Sequence, residues 1–347
     1  MNVRLRVKFI AMHKVNEIVR EIDSPFKLIN IIDPHLSDRS PGYRCDDYTE
    51  AAWGKLDQIR VIAHKRKIDL LTLTGDLFSD RRKDKNSHKL TGSFIECLVK
   101  FDCEVASILG NHDLCYNRFD SWPEQPVSGL IKGGSLSLLD FGDFVYIFKD
   151  TGKKIRVRGR SYHEKSNIDH LYEPRGDEDL LIQVTHSSID PKGGFYGKYS
   201  EEIHSYESVL DSSPDIFLLG HIHSPVGITE LGGKHFFQHG SLMRSSTHDY
   251  NLERGINVGY LEISSDLKVK TEQIPLDIKP SHEIFDLEKK ESLERAAQLK
   301  EEFFARIDEV RENRTKTISI ESILEKVKDK DVERLRTIIE HYIDNVQ

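Results

Sequence analysis

Five short stretches of this 347-residue chain carry side chains of the kinds that ligate metal ions. They are Asp33-Pro34-His35, Gly75-Asp76, Gly110-Asn111-His112-Asp113, His186, and Gly220-His221-Ile222-His223. Mixed carboxylate and imidazole ligands suit manganese, iron or zinc better than calcium. An aspartate can bridge two ions through its two oxygens, and Asp76 is the natural candidate. Two ions about 3.5–4 Å apart clamp an in-line displacement at phosphorus and acidify a water. Taken singly, a DxH or a GD is common, and a histidine after a strand is more often packed than functional. Five such pieces in one chain, each directly after an apolar run, point to phosphoester hydrolysis at two metal ions.

The runs that precede these residues must position them. Residues 26–33 (FKLINIID), 68–74 (IDLLTLT) and 104–109 (EVASIL) read as buried strands. Between them, residues 47–67 and 87–101 have helical period, with Ala52, Leu56, Ile59 and Ala63 on one face of the first. Strand, helix, strand, helix, strand implies parallel pairing with right-handed crossovers. Parallel strands bring their carboxyl ends to one edge, where open α/β sheets form their sites. Residues i and i+2 of an extended strand point the same way, so Asp33/His35 and His221/His223 are each expected to aim two ligands into one pocket. Shorter strands follow Leu136, then two more buried runs, LLIQVTH and DIFLLGHIH, end at His186 and His223. Strands at 226–230, 235–237, 256–263 and 267–274 are expected to close a second sheet. The fold class is α/β, two sheets with helices outside.

Charged residues make up 31% of the chain and hydrophobic ones 37%, ordinary for a soluble globular protein. The formal net charge of -8 argues against coating nucleic acid by bulk charge and leaves room for local basic patches. No run approaches the roughly 18 apolar residues a membrane helix needs, so no membrane partner is expected. Cys45, Cys97, Cys103 and Cys115 lack CxxC spacing and read as reduced thiols of a cytoplasmic protein. Three regions are expected: an N-terminal extension at 1–24, a catalytic domain at 25–279, and a helical region at 280–347. In the last, Leu293, Ala296, Phe303, Ile307 and Val310 keep helical spacing, as do Ile320, Ile323 and Val327, and then Val332, Leu335, Ile339, Tyr342 and Val346. These stripes either pack within the protein or dock on a partner helix.

The set DPH, GD, GNHD, a lone histidine and GHIH resembles the five motifs of the calcineurin-like metallophosphoesterase superfamily, over roughly residues 26–263. The resemblance implies a four-layer α/β/β/α sandwich and two divalent metal ions, with manganese expected and magnesium, iron or zinc as alternatives. It implies that Asp33, His35, Asp76 and His223 hold one ion, and Asp76, Asn111, His186 and His221 the other. It also implies that His112 protonates the leaving oxygen or steadies the transition state, and that Asp113 orients His112 through a hydrogen bond. A carboxylate partner of that kind would set the tautomer and raise the imidazole pKa.

That superfamily acts on phosphoproteins, cyclic nucleotides, nucleotides and DNA, so the fold does not choose a substrate. The runs DPHLSDRSPGYR, GDLF and GSLMR, and the following NLERGINVGYLEI, are similar to SbcD-type DNA repair exonucleases. This implies a DNA exo/endonuclease subunit, acting with an SbcC-like coiled-coil ATPase through the C-terminal helices, and a homodimer. The stretch after Ile274 is short for both a capping domain and docking helices, and the lead-in before the first motif is longer than that group's pattern. The chain has no GxxxxGK[ST] loop of its own for ATP. The alternative is a phosphatase or phosphodiesterase of the same fold acting on small nucleotides or phosphoproteins. For DNA, Lys154, Arg156, Arg158 and Arg160 alternate along one strand face and could track a phosphate backbone, or simply be solvated. Arg39, Arg44, Arg81 and Arg82 follow the first two motifs and could grip flanking phosphates. Tyr43, Phe78 and Tyr162 either stack bases or pack.

Overall fold

A computed structural model describes residues 17–163, 168–196 and 201–312. In chain order the strands are β1 (Ile18–Ile22), β2 (Phe26–Ile31), β3 (Leu70–Leu73), β4 (Glu104–Ser107), β5 (Ser137–Leu138), β6 (Phe144–Phe148), β7 (Lys154–Arg160) and β8 (Leu180–Thr185). They continue with β9 (Ile189–Asp190), β10 (Gly194–Tyr196), β11 (Glu201–Ser205), β12 (Ile216–Leu219), β13 (Gly227–Leu231), β14 (Lys234–Gln238), β15 (Ile256–Ile263) and β16 (Val269–Leu276). Two helices separate the first three motif strands: α1 (Tyr48–Arg66) and α2 (His88–Leu98). Each starts on a side-chain cap that satisfies a free backbone N–H. The Asp47 carboxylate accepts from Glu50 N at 3.0 Å, and Ser87 Oγ from Leu90 N at 3.0 Å.

The first sheet runs β16-β15-β2-β3-β4-β5, and the second β1-β6-β7-β8-β12-β14-β13. Neighbours β2, β3 and β4 are parallel, as are β7, β8 and β12. Their apolar runs are continuous because both faces are covered. On β2, Phe26 and Leu28 enter the layer between the sheets, whereas Ile29 and Ile31 face the core shared with α1 and α2. On β12, Ile216 and Leu218 face the inter-sheet layer, while Phe217 and Leu219 face outward. That outer face is covered by 3₁₀ turns at Asp169–Tyr172 and Glu207–Val209.

One placement differs from the sequence reading. β15 and β16 close the first sheet, not the second, because β15 pairs antiparallel with β2 from Gly259 opposite Asn30 to Ile263 opposite Phe26. The lead-in also contributes: β1 pairs in parallel with β6 at the edge of the second sheet. The first compact unit runs on to Ile284, and a second unit holds the helix Leu287–Glu312. The helical stripes at Ile320–Val327 and Val332–Val346 lie outside the described residues, as do residues 1–16. No helix among the described residues is long and apolar enough to cross a membrane.

Candidate metal centre

All five motifs leave their strands at one edge. Asp33 and His35 follow β2, Asp76 follows β3, the 110–113 turn follows β4, His186 follows β8, and His221 and His223 follow β12. The expected strand alternation is not how the paired ligands converge. Asp33 (φ 42°), His35 (φ 47°), Asp76 (φ 46°) and His221 (φ 80°) all lie in the left-handed region. There the chain has left the strand and curls over the sheet edge. Such backbone is sparsely populated by non-glycine residues and clusters at functional sites. Glycine is required where the turns touch. A Cβ on Gly75 would sit 2.6 Å from Gly110 N and 2.9 Å from His186 Nδ1, and one on Gly110 would overlap the Asp76 carboxylate.

The ligand atoms form two groups. One atom from each of Asp33, His35, Asp76 and His223 lies within 4.8 Å of every other. In the second group, Asn111 Oδ1 is 3.1 Å from His186 Nε2 and 3.1 Å from His221 Nδ1, and Asp76 Oδ2 is 3.5 Å from His186 Nε2. Asp76 belongs to both. Nε2 of His35 and of His223 face each other at 2.8 Å. Only a shared proton or a cation reconciles two imidazole nitrogens at that separation.

Backbone carbonyls set the tautomers. His186 Nδ1 donates to Thr74 O at 2.7 Å, which turns its Nε2 to the second group. His35 N donates to Asp76 O at 2.9 Å, and the His35 carbonyl accepts from Tyr48 Oη at 2.9 Å. His221 N donates to Asp33 Oδ2 at 2.8 Å. The charge balance also favours cations. Burial, together with Asp76 nearby, pushes the Asp33 carboxyl up to about 8, although His186 opposes it. Burial raises Asp76 as well, but the surrounding histidines, His186 foremost, bring it well below the usual carboxylate range. Burial holds the His223 imidazole down to about 4, so it is neutral and able to ligate. Burial lowers the His186 imidazole, but Asp76 and Asp33 beside it outweigh that and lift it to about 9, a positive charge that a cation would replace. Two desolvated carboxyl groups, the His35 and His223 imidazoles that burial holds neutral, and a carboxamide oxygen make a donor set that fits divalent metal.

His112 stands beside these groups, its ring 5.1 Å from that of His35. Its backbone N donates to Asp76 Oδ1 at 2.8 Å. Its Nδ1 donates to the carbonyl of Ser79 at 2.7 Å, leaving Nε2 as the outer end of the ring. The orienting partner is therefore Ser79 O, not the Asp113 carboxylate expected from the sequence. Asp113 is turned inward and accepts from Leu77 N (3.0 Å), Phe78 N (3.2 Å) and Gly110 N (3.0 Å). It ties the second motif loop to the third. Sequence reasoning missed Thr74 and Ser79 because they act through carbonyls, which every residue has.

The cations divide sharply. The face of β7 is not a solvated basic row, because it is paired with acids. Arg156 and Arg158 are 8% and 6% exposed. Arg156 bonds Glu17, Asp143 and Glu178, Arg158 bonds Gln183, Lys154 bonds Asp177, and Arg160 bonds Glu173. Arg44 is committed to Asp46 through two bonds of 2.8 and 2.6 Å. Arg82 is exposed but paired with Asp80. Arg39 and Arg81 are exposed beside the first two motif loops. Phe78 and Tyr162 are buried, and Tyr162 packs on the rings of His186 and His221 at 6.0 and 5.6 Å.

The family model of calcineurin-like phosphoesterases matches residues 27–225, more than half of the chain. The chain belongs to that family. Its fold is similar to solved structures of low identity. One is the calcineurin-like phosphoesterase YfkN from Bacillus subtilis, at 14% identity and TM-score 0.46, covering 72% of this chain and 90% of that one. Another is a dimetal phosphatase from Danio rerio, at 14% identity and TM-score 0.42, covering 72% and 98%. A third is GAP50 of Plasmodium, described as the anchor in the inner membrane complex, at 11% identity and TM-score 0.40, covering 74% and 90%.

Proposed function

We propose that this phosphoesterase is a two-metal DNA nuclease, the nuclease subunit of an SbcCD-like complex. The observation that carries the two-metal reading is the pair of donor groups sharing Asp76, with His112 alongside. Asp33, His35, Asp76 and His223 would hold one ion, and Asp76, Asn111, His186 and His221 the second. When bound, divalent ions supply Lewis-acid charge for phosphate oxygens and acidify a water. The chain's own part is to hold the ligands in fixed tautomers through Thr74 O and to present His112 Nε2. That nitrogen can give a proton to the departing oxygen while Nδ1–H stays on Ser79 O. The choice of DNA rests on the DPHLSDRSPGYR, GDLF and GSLMR runs and on the exposed Arg39 and Arg81 beside the loops. Manganese is the expected metal. Partnership with a coiled-coil ATPase rests on the charged C-terminal helical region, which begins with Leu287–Glu312.

The same centre would serve a phosphatase or phosphodiesterase acting on small nucleotides or phosphoproteins. The acid-paired β7 face favours that second reading, because it removes four cations from any DNA track. Incubating labelled duplex and hairpin DNA with the purified protein and manganese separates the two. Cleavage that disappears in His112→Ala supports the nuclease. Turnover of cyclic or mononucleotides with DNA left intact, also in the presence of an SbcC-type ATPase, overturns it.

A further inference from the structure

A cavity of about 290 Å³ lies against the first turns of α1, bounded on its other side by Arg244 and the stretch 277–284. None of the proposed metal ligands lines it. Two cations that do are buried: Lys55 is 8% exposed and Arg244 is 4% exposed. Each is held only by neutral acceptors. Lys55 Nζ donates to Ala51 O at 3.2 Å and lies 3.4 Å from Met243 Sδ. Arg244 donates to Ser281 Oγ at 2.9 Å, to Lys279 O at 2.5 Å and to Leu252 O at 3.5 Å. Neither forms an ion pair among the described residues. The acid at this spot, Asp46, accepts on both its oxygens from one edge of the Arg44 guanidinium, Nε and Nη2.

Burying a cation without an anion is unfavourable, and here two line one cavity together with Arg44. Burial, followed by repulsion from Arg44 and Arg244, holds the Lys55 ammonium down to about 8. It still carries its charge at neutral pH. We propose that this cavity binds a compact phosphate-type oxyanion, neutralised by Lys55 and Arg244, at a site separate from the metal centre. An ammonium and a planar guanidinium fork supply the donors such an anion accepts. The mouth carries the exposed carboxylates of Asp47, Glu50 and Asp277, which repel a long polyanion and leave the site to a small ligand. Inorganic phosphate and a phosphate monoester such as AMP share the required chemistry.

The test is calorimetric titration of the full chain with inorganic phosphate and with AMP. The protein is freed of metal and held at neutral pH and constant ionic strength in chloride. Saturable binding is expected for at least one ligand, and whichever binds tighter identifies the source. Lys55→Met should weaken it by about 10–100-fold, the loss of one charge-assisted bond. That variant should fold, because a well-packed apolar side chain replaces a buried unpaired charge. Lys55→Arg, which keeps the charge, should retain binding. Asp76→Asn, which disables the metal centre, should leave binding unchanged. Absence of saturable binding at millimolar ligand, equal binding by Lys55→Met, or loss of binding in Asp76→Asn overturns the proposal.

Discussion

Replacing His112 with alanine isolates the proton-transfer role, because the main chain at this position does separate work. The His112 backbone N–H holds Asp76 Oδ1 at 2.8 Å, and alanine keeps it. What is removed is a ring anchored by Ser79 O through Nδ1. A positioned general acid contributes about 10²–10⁴-fold, so kcat should fall by that factor. This equals about 3–5 kcal/mol of barrier. The loss should depend on the leaving group. An alkoxide from a dinucleotide needs the proton, whereas a nitrophenolate departs without it, so the loss on bis(4-nitrophenyl) phosphate should shrink to about tenfold or less. Steady-state rates on both substrates with manganese, plus elemental analysis of each variant, make the test. Equal losses on the two substrates would refute proton donation, and metal depleted from His112→Ala would show that the ring serves the ligand set instead.

Other expectations follow from the same geometry. Asp76→Asn should lose both metal ions and Asn111→Ala only one, because Asp76 belongs to both donor groups; metal content per chain reads this directly. The double variant Arg39→Glu/Arg81→Glu should weaken duplex DNA binding and lower its salt slope by about two, with hydrolysis of bis(4-nitrophenyl) phosphate unchanged. Burial holds the His239 imidazole down to about 3, against 6.5 in a model peptide. Below about pH 6.5 the unfolded chain therefore takes up a proton that the native state refuses, and stability falls with acidification. For this residue the loss between pH 6.5 and pH 5 is about 2 kcal/mol. In metal-free protein, His239→Leu should remove that part of the slope in denaturant titrations; an unchanged slope would assign it to other histidines.

Much of this architecture was legible because burial on both faces leaves a strong mark. The runs ending at Asp33, Asp76, Gly110, His186 and His223 are continuous apolar strands followed at once by polar residues, and their carboxyl ends, three in the first sheet and two in the second, meet at the metal centre. The helix at 48–66 was equally plain from the spacing of Ala52, Leu56, Ile59 and Ala63. The sheet to which β15 belongs was not legible, since an antiparallel partner 230 residues away leaves no local pattern. The cations of β7 misled because alternation identifies a shared face but not what lies opposite it. Here that was Glu17, Asp143, Glu173 and Glu178, drawn from three separate stretches.

The sequence by itself determined the types and order of the ligating side chains and the strands that carry them. These depend on local hydrophobic period and on which elements can coordinate metal. Tertiary structure alone decided that left-handed turns, not strand alternation, aim the donors. It also decided that Ser79 O, not Asp113, anchors His112, and that Lys55 and Arg244 line one cavity with neither in an ion pair among the described residues. The physical reason is the same in each case. A hydrogen bond to a carbonyl, or a charge paired across a fold, depends on distance in space, and residue type does not encode that distance.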